Sequence, residues 1–423
     1  MSPHRTEAQV KVIPRPPFGL FVLETPVVLG DGEIRFVDRC YAETLQQASA
    51  DVRDLLIVAR TRHHSVAQGY TSLSNAGAQL AIPLPDYGHA GFRGVIQALK
   101  ILIDPDIYYA LSQLLSQADF VYVEGGTSVI SFLTARIAKR LNRRLVLEMR
   151  GDVLLNRQYL LDRFGFAGLA MLPLHQAFSR YVRKKCFAGL YINKKLLERY
   201  PVVGSLKRAV SDAYLPEDFG AAPRCYREPA RRYLYVGHLE TVKRVDLIIA
   251  ALGLARERLP KGWHLEVVGS GPLERGLRAM TARLGLGSHL TFHGRIEWGE
   301  PLFRFYEQAD LVLMASTSES GPRTLPEAMA FALPVISTSV GIAPELLDKS
   351  VLTPVGSAKA YAKCLLELVH DTARLTKFSE SNWRFAGNFR RAPLVSERRE
   401  FWRQAIAISR RERDQKIMCS HSP

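Results

Sequence analysis

A chain of 423 residues is too long for a single ordinary core and suits two domains. The 47% hydrophobic content excludes wholesale disorder. Five scattered cysteines without a CxxC pair exclude a disulfide framework or a zinc site and indicate a reducing compartment. A net charge of +16 favours anionic partners, namely phosphorylated metabolites, anionic lipid or nucleic acid.

Membrane-spanning and secretory segments are not expected. No apolar run reaches the roughly 18 residues that a spanning helix needs. The N-terminal residues lack the apolar core of a signal peptide. The sequence therefore predicts a cytoplasmic location.

The first half of the chain alternates short apolar runs with helical patterns. A glycine-containing turn is expected at Leu29–Glu33. The predicted strands are Phe18–Thr25, Asp54–Arg60, Asp119–Gly126, Arg143–Gly151 and Ala188–Asn193, and the predicted helices are Phe36–Ser49 and Ser128–Leu141. Continuous apolar strands that alternate with helices indicate a parallel sheet covered on both faces.

The same alternation restarts after a segment rich in Pro, Gly and Ala, Pro201–Ala230, which is predicted to be a linker. The predicted strands of the second half are Arg231–Glu240, His264–Pro272, Leu290–Ile296, Ala309–Ser316 and Leu333–Thr338, and its predicted helices are Val245–Leu259 and Leu273–Leu286. The sequence therefore predicts an α/β protein of two doubly wound, Rossmann-like domains, at residues 1–215 and 216–390, followed by a terminal segment at 391–423.

Ligands of open parallel sheets bind beyond the carboxyl ends of the strands, so the loops after strands carry the candidate site residues. Lys243 stands near a helix start, where an ammonium and free amides favour a phosphate, although a solvated lysine is the alternative. Gly269 and Gly271 begin a dinucleotide fingerprint, but Glu274 occupies the third glycine position. A phosphate loop of another type and a plain strand-to-helix turn both stay open there.

Two carboxylates eight residues apart, Glu319 and Glu327, flank the start of a short apolar helix. Thr324 and Glu327 fit a capping box, which is the structural alternative for Glu327. Glu319 has no such explanation. The loop between them offers backbone amides and the Arg323 guanidinium to an anion. Carboxylates beside an anion site would repel the anion itself, so they are useful there only if they bind hydroxyls. The hydroxyls of a sugar or a ribose are the obvious donors.

The segment from Tyr233 to Glu345 resembles the donor-binding half of the GT-B retaining glycosyltransferases of family 4, also called glycosyltransferase group 1. The resemblance rests on five motifs in order. They are G-x-L-x3-K at Gly237–Lys243, V-G-x-G-P at Val268–Pro272, F-x-G at Phe292–Gly294, E-x7-E at Glu319–Glu327 and the run Gly341–Leu346. The first half resembles the family only in layout.

The resemblance implies a GT-B fold of two domains that face each other across a cleft, the second of which binds a nucleotide-diphosphate-sugar. It implies that Lys243 contacts the diphosphate, Glu319 the transferred sugar and Glu327 the ribose hydroxyls. Further donor contacts are implied for Gly237, His238, Arg244, Gly269, Gly271, Arg295, Ile296, Gly321, Arg323, Thr324 and Leu325.

The chain departs from the family pattern at three of these or nearby positions. His238 stands where the family usually has Arg, Arg244 where it has Gly, and Ala332 where it often has Gly. We therefore expect Arg244 or Arg323 to supply the missing positive charge.

The first domain is implied to bind the acceptor, with the terminal helix crossing back to it. Its candidate cleft residues are Glu124, Arg150 and Asp152, and Glu124 joins Glu319 and Lys243 as a predicted catalytic residue. Gly30 and Gly32, placed after the first strand, are candidates for contact with the acceptor or the cleft. The alternative is that they are ordinary turn glycines without a function in binding.

The chemistry implied is metal-independent transfer of a sugar to an acceptor hydroxyl with retention of configuration, in cell-surface polysaccharide or glycolipid synthesis. The string Asp104-Pro105-Asp106 matches the DxD of metal-dependent GT-A enzymes, but it fits a helix start with Asp104 as the cap. The sequence therefore predicts no cofactor.

The acceptor is expected to be a sugar or a lipid-linked sugar. The apolar and basic stretch Phe166–Lys185 could rest on an anionic membrane, and core packing explains its apolar residues equally well. The segment Arg180–Arg199 holds seven Lys or Arg, but few aromatic residues lie between them, so no nucleic acid partner is expected. A non-catalytic nucleotide-sugar or nucleic-acid binding module is the alternative function. A phosphorylase shares the architecture, but nothing in the sequence indicates the lysine that would carry its pyridoxal cofactor.

Overall fold

The computed structural model describes a subset of the chain. The described residues are 18–30, 33–36, 45–46, 48, 50, 52, 54–62, 71–72, 78–85, 91–152, 161, 166, 169, 171–319, 321 and 323–420. The helix predicted at Phe36–Ser49 falls largely outside them.

The chain forms two compact units. Unit 1 comprises residues 1–212 together with 393–423, and unit 2 comprises residues 213–392. The sequence puts the two boundaries at 215/216 and 390/391, three and two residues away from those junctions.

Unit 1 is built on a sheet of ten strands among the described residues, in the order β10-β9-β8-β7-β1-β4-β2-β3-β5, with β6 paired to β4. The strands are β1 Phe18–Val22, β2 Val27–Gly30, β3 Glu33–Phe36, β4 Asp54–Arg62, β5 Thr71–Ser72, β6 Ala78–Pro85, β7 Phe120–Glu124, β8 Leu145–Met149, β9 Cys186–Tyr191 and β10 Leu206–Ala209. Every residue of β1, β7, β8 and β9 is buried, as expected for parallel strands covered on both faces.

Helices of unit 1 connect these parallel strands. They are α1 Gly91–Lys100, α2 Pro105–Gln117, α3 Val129–Arg140, α4 Leu172–Arg183 and α5 Lys194–Arg199. Asp104 caps α2, since its carboxylate accepts hydrogen bonds from the amides of Asp106 and Ile107. The prediction that this aspartate starts a helix is therefore confirmed.

The terminal helix α13, Arg391–Ser420, supplies part of the core of unit 1. Trp402 packs edge-on against Phe120 and lies beside Tyr122. The Arg398 guanidinium pairs with the Glu148 carboxylate, and both side chains are 0% exposed. The hydroxyl of Tyr122 donates to the other oxygen of Glu148, 2.9 Å away. An apolar sheet face thus encloses a fully buried ion pair.

Unit 2 is built on a parallel sheet in the order β13-β12-β11-β14-β15-β16. The strands are β11 Arg232–Val236, β12 His264–Val268, β13 Leu290–Gly294, β14 Leu311–Leu313, β15 Val335–Thr338 and β16 Leu352–Thr353. The helices are α6 Val245–Ala255, α7 Glu274–Arg283, α8 Glu300–Gln308, α9 Thr324–Ala330, α10 Ala343–Leu346, α11 Ala358–Val369 and α12 Thr372–Ala386. The order in which strands are added to the sheet reverses between β11 and β14, while all strands stay parallel. Such a reversal of strand order is typical of a doubly wound sheet.

The predicted linker Pro201–Ala230 is not a free linker. Its first part contains β10, which pairs in parallel with β9. Its second part contributes Leu215 and Phe219 to the core of unit 2. The composition of this segment is misleading because several of its few apolar side chains, Leu215 and Phe219 among them, are used in packing.

No helix in the described ranges combines the length and the apolar character that crossing a bilayer requires.

Candidate functional site

The candidate donor site lies in unit 2, at the edge where the carboxyl ends of its parallel strands meet. Loops after β11, β12, β13, β14 and β15 share this edge because all these strands run in one direction. Each donor-binding residue predicted from the sequence lies in one of these loops or in the first turn of the helix that follows.

Three glycines let the loops after β11 and β12 approach closely. The amide of Gly237 donates to the carbonyl of Val268, and the amide of Leu239 donates to that of Ser270, both at 3.0 Å. Gly269 has φ +141°, and a Cβ there would stand 1.8 Å from the Gly237 carbonyl oxygen. A Cβ on Gly271 would stand 2.5 Å from the carbonyl oxygen of Leu239. Backbone packing alone therefore explains the glycines at positions 269 and 271.

Lys243 and Glu319 are in direct contact. The Lys243 Nζ lies 2.5 Å from Glu319 Oε1, and the side chains are 25% and 10% exposed. The Ser316 hydroxyl donates to the same oxygen at 2.7 Å. The amide of Thr317 donates to the Val242 carbonyl at 2.8 Å, which ties the two loops together. An ammonium and a carboxylate are thus held at the edge of the sheet with limited exposure to water.

Gly341 supports this pair from the loop after β15. Its φ of +56° lies in the left-handed region, and a Cβ there would stand 2.5 Å from the Glu319 carbonyl oxygen. The Thr338 hydroxyl donates to the Ser316 carbonyl at 2.6 Å. Glycine is therefore needed at 341 so that the Glu319 loop can rest against it.

The capping-box interpretation of Glu327 is wrong. Arg323 is the N-cap residue of α9, and its side chain makes no capping hydrogen bond. The Thr324 hydroxyl donates to the carbonyl of Val236, 3.1 Å away. The Glu327 carboxylate accepts hydrogen bonds from the Tyr306 hydroxyl at 2.7 Å and from the Trp298 indole at 3.0 Å. Tertiary partners have therefore replaced the local cap.

Glu327 is 7% exposed, and this burial raises the pKa of its carboxyl. The hydrogen bonds from Tyr306 and Trp298, and the charge of Arg323, act in the opposite direction and favour the carboxylate. Burial also raises the pKa of Tyr306 well above its ordinary value, so the phenol keeps its proton and donates a hydrogen bond to Glu327.

The basic residues proposed to replace the family arginine differ in their surroundings. Arg244 has φ +51°, a conformation that favours glycine, which accounts for the glycine of the family at this position. Its guanidinium makes three hydrogen bonds to the Asp246 carboxylate, of 2.9–3.2 Å. Arg323 is half-buried and close enough to Glu327 to influence it electrostatically. Of the two, Arg323 is the one whose charge acts on Glu327.

The remaining donor-site candidates are on the same edge with different exposure. His238 and Arg295 are exposed, Gly321 is half-buried, Ile296 packs against the core and Leu325 is fully buried. Leu325 can therefore offer a ligand only its backbone. Ser320 and Pro322 of the intervening loop lie outside the described residues.

In unit 1 the candidate Glu124 braces a loop. Its carboxylate accepts hydrogen bonds from the amides of Glu24 and Thr25 and from the Thr25 hydroxyl, at 2.7–2.8 Å. Glu24, which the sequence reasoning missed, accepts in turn from the amides of Thr127 and Ser128 at the start of α3. The loops after β1 and β7 therefore hold each other through two carboxylates.

Arg150 and Asp152 also have partners within unit 1. An Arg150 guanidinium nitrogen lies 2.8 Å from an Asp212 carboxylate oxygen. Asp152 accepts from the Tyr200 hydroxyl at 2.7 Å and lies 3.3 Å from Arg199.

Gly30 does not follow the first strand directly, as the sequence reasoning assumed. β1 ends at Val22, and Gly30 is the last residue of β2, where it pairs with Glu33 in an antiparallel hairpin. An additional hairpin in this part of the sheet moves the glycine away from the loop after β1. Gly32 lies outside the described residues.

The stretch Phe166–Lys185 had two explanations, membrane contact and core packing. Core packing accounts for those of its described apolar residues that are buried in α4. Phe178 and Val182 are buried, and the Phe178 ring stacks on Phe132 of α3 with 4.4 Å between ring centroids. Phe166 is 86% exposed.

The sequence reasoning missed the residues that hold the two glutamates. Ser316 precedes Glu319 by three residues, a spacing that could have indicated the contact. Trp298 and Tyr306 lie far from Glu327 along the chain, and no local pattern predicts that their donors reach it.

The second half of the chain matches a known protein family. Residues 226–384 match the family model "Glycosyl transferases group 1". The chain is similar to the D-inositol 3-phosphate glycosyltransferase of Salinispora tropica, with 28% identity over 204 residues, 45% of this chain and 42% of the relative. It is also similar to the amylovoran biosynthesis glycosyltransferase AmsK of Erwinia amylovora, with 30% identity over 162 residues, 36% of this chain and 39% of the relative. The chain thus spans less than half the length of either relative.

Solved structures resemble the chain over nearly its full length. HepE of Anabaena in complex with UDP-glucose aligns over 92% of this chain and 99% of its own, with a TM-score of 0.61 and 14% identity. Sucrose-phosphate synthase of Thermosynechococcus elongatus aligns over 93% and 100%, with a TM-score of 0.60 and 14% identity. Likeness at such low identity shows the fold.

The non-catalytic binding module is not favoured by these comparisons, which support glycosyl transfer. The chain has the GT-B fold of two Rossmann-like units, and its second unit carries a glycosyl transferases group 1 domain.

Proposed function

We propose that the protein is a retaining glycosyltransferase of family 4, of the hexosyltransferase type. It transfers a sugar from a nucleotide-diphosphate-sugar to an acceptor hydroxyl, and unit 1 binds the acceptor. The proposal extends the group 1 domain of residues 226–384 to the activity of the whole chain.

The observation that carries this proposal is the contact between Lys243 and Glu319 at the carboxyl edge of the unit 2 sheet. The two residues lie 76 positions apart in sequence, yet two loops bring the ammonium and the carboxylate together. The loop that contains Glu319 leads directly into α9, which carries Glu327. A cation for a diphosphate and two carboxylates for hydroxyls are thus assembled by adjacent loops.

These groups suit the departure of a nucleoside diphosphate. The bond from the anomeric carbon to the diphosphate oxygen breaks, and the acceptor hydroxyl oxygen bonds to the same face of that carbon. The hydroxyl proton passes to the leaving diphosphate. Lys243, with Arg323 nearby, stabilises the negative charge that develops on the diphosphate. The reaction as proposed needs no metal ion, because the cationic side chains carry this role.

The donor contacts follow from the same proposal. Glu319 holds hydroxyls of the transferred sugar, and the loop that starts at Arg295 and Ile296 meets the base. Support for a uridine nucleotide comes from HepE of Anabaena, which was solved in complex with UDP and with UDP-glucose.

A donor panel tests the proposal. The protein is incubated with UDP-, GDP-, ADP- and dTDP-sugars, and released nucleoside diphosphate is measured with and without EDTA. We expect one base to be preferred, the rate to be unaffected by EDTA, and proton NMR of the product to show the anomeric configuration of the donor. The Glu319→Ala variant is the matched inactive control. Absence of turnover and of calorimetric binding across the whole panel would overturn the proposal.

We further propose a lipid-linked acceptor at the cytoplasmic face of a membrane, in polysaccharide or glycolipid synthesis. Support comes from the basic residues of α4 and α5 and from the exposed Phe166. Co-sedimentation with vesicles that contain anionic lipid, at low salt, is the test, with zwitterionic vesicles as the control. If neither kind of vesicle retains the protein, the membrane contact is removed and a free sugar acceptor is left.

A further inference from the structure

The carboxylate of Glu327 is held by two donors that come from different elements. Trp298, in the loop between β13 and α8, donates its indole N–H to Oε1 at 3.0 Å. Tyr306, in α8, donates its hydroxyl to Oε2 at 2.7 Å. Each oxygen of the carboxylate therefore has one fixed donor.

Both donors are themselves held by aromatic packing. The Trp298 ring stacks on Phe219, with 6.0 Å between centroids, and meets Phe303 edge-on at 5.2 Å. The Tyr306 ring lies parallel to Phe331, with 5.3 Å between centroids and 7° between planes. Tyr306 is fully buried, whereas Trp298 is partly exposed. This packing restricts where the indole N–H and the phenol hydroxyl can point.

A carboxylate can accept about four hydrogen bonds, two on each oxygen. The donors from Trp298 and Tyr306 leave acceptor capacity on both oxygens, in a fixed orientation. Two acceptors about 2 Å apart on one rigid group are complementary to two hydroxyls on neighbouring carbon atoms. Ribose carries such a pair at its 2′ and 3′ positions.

We propose that Trp298 and Tyr306 are positioning residues for Glu327, the residue for which the family resemblance implies contact with the ribose hydroxyls. They orient its carboxylate so that it accepts from the 2′- and 3′-hydroxyls of the donor ribose together. The inference rests on the proposed function, because it requires a ribonucleotide donor. Trp298 lies two residues beyond Ile296, in the loop that the same proposal assigns to the base. It therefore links base recognition to ribose recognition through one hydrogen bond.

The charge state of Glu327 gives this arrangement a second role. Burial disfavours the carboxylate, and the hydrogen bonds from Tyr306 and Trp298 oppose that effect on its pKa. A protonated carboxyl would use one oxygen as a donor and lose part of its capacity to accept from a diol. The two donors thus keep Glu327 in the form that accepts from both hydroxyls.

Calorimetry with a pair of nucleotides tests the proposal. UDP and 2′,3′-dideoxy-UDP, a deoxynucleotide that lacks both hydroxyls, or the equivalent pair for the base that the donor panel selects, are titrated into wild type, Trp298→Phe and Tyr306→Phe. We expect the wild type to prefer the ribonucleotide. Each variant should weaken ribonucleotide binding about fivefold to tenfold and leave binding of the deoxynucleotide nearly unchanged. The preference for ribose should therefore shrink.

A pH series supplies a readout that loose packing would not produce. Without one of its donors, Glu327 takes up a proton at higher pH. As the pH falls from 8, ribonucleotide affinity should therefore decline earlier in Trp298→Phe than in the wild type, whereas deoxynucleotide affinity should follow the same curve in both.

Two other substitutions serve as matched controls. Trp383→Phe removes a partly exposed indole from α12, and Tyr361→Phe removes a buried hydroxyl that donates to the Ile336 carbonyl. Neither should change the preference for ribose. Equal weakening of both nucleotides in Trp298→Phe and Tyr306→Phe, or a wild type without any ribose preference, would overturn the inference. A wild type that binds no nucleoside diphosphate would instead overturn the proposed function.

Discussion

The acidic residues that follow the strands in the two units are used in different ways. In unit 1, Glu124 accepts from two backbone amides and a hydroxyl, and Glu24 accepts from the first amides of α3. In unit 2, Glu319 contacts the Lys243 ammonium and the Ser316 hydroxyl, and Glu327 contacts two aromatic side chains. All four residues lie at or beyond the carboxyl ends of parallel strands, but their partners differ.

This difference separates a structural carboxylate from one that is available to a ligand. Backbone amides of a neighbouring loop cannot leave without unfolding that loop, so Glu124 and Glu24 are committed to it. A lysine ammonium on a flexible stem can move to a phosphate and leave its carboxylate to a hydroxyl. The identity of the partner is thus more informative than the position of the residue in the fold.

The largest effect is expected where unit 1 buries charge. Arg398→Met leaves the Glu148 carboxylate buried without its cation. We expect the free energy of unfolding to fall by about 3–5 kcal/mol. Arg403→Met, in the same helix, removes an exposed pair with Glu400 and should cost little. Chemical denaturation of both variants measures the difference. Similar midpoints for the two would show that the buried pair does not hold α13 in place.

Lys243→Ala should have the next largest effect, and it should act on catalysis. Loss of the cation that stabilises the departing diphosphate lowers kcat by about 100-fold to 1,000-fold. Lys363→Ala, which removes an exposed lysine from α11, is the control and should retain full turnover. Steady-state kinetics with the preferred donor decides the matter, and full turnover in Lys243→Ala would contradict the phosphate role.

Glu124 provides a direct test of the distinction between brace and site. Gln has the same shape and can keep the hydrogen bonds to the loop after β1, so Glu124→Gln should retain turnover within a few fold. Glu124→Ala leaves the two amides without an acceptor and should lose about 1–3 kcal/mol of stability. Turnover and melting temperature are measured for both variants. A Gln variant that melts normally but is inactive would restore Glu124 as a catalytic residue.

The smallest effect concerns the pH dependence of stability. Burial raises the pKa of Glu327 above its unfolded value, so the stability that its protonated form contributes is fully present below the ordinary value near 4.5. That stability is lost as the pH rises through the raised pKa. The melting temperature of the wild type relative to Glu327→Gln should therefore fall between pH 4.5 and neutrality. A relative melting temperature that rises over this range would contradict the burial effect.

Much of the fold follows from sequence pattern. Runs such as Phe18–Val22 and Cys186–Tyr191 are apolar throughout, and such continuity identifies strands covered on both faces. β10, Leu206–Ala209, has two basic residues and lies at the edge of the sheet, so only its pairing with β9 makes it a strand. Composition favoured a linker there because an edge strand carries little apolar signal.

The candidate donor site was only partly predictable. Lys243, Glu319 and Glu327 emerge from motif spacing, since the loops after parallel strands must share an edge. Their immediate partners do not, because Trp298 reaches Glu327 through tertiary packing across 29 positions. The capping box failed for the same reason: a local pattern gave way to Tyr306 and Trp298, which are distant in sequence.

The placement of α13 has a consequence for how the protein is made. Unit 2 is one uninterrupted stretch of chain, whereas unit 1 needs residues that are synthesised after unit 2, including Arg398 and Trp402. During translation, all of unit 2 leaves the ribosome before the last part of unit 1 does. Domains generally fold as units once their sequence is available. Unit 1 therefore begins to be synthesised before unit 2 but is completed after it. Its sheet can be covered by α13 only once all of unit 2 has been synthesised.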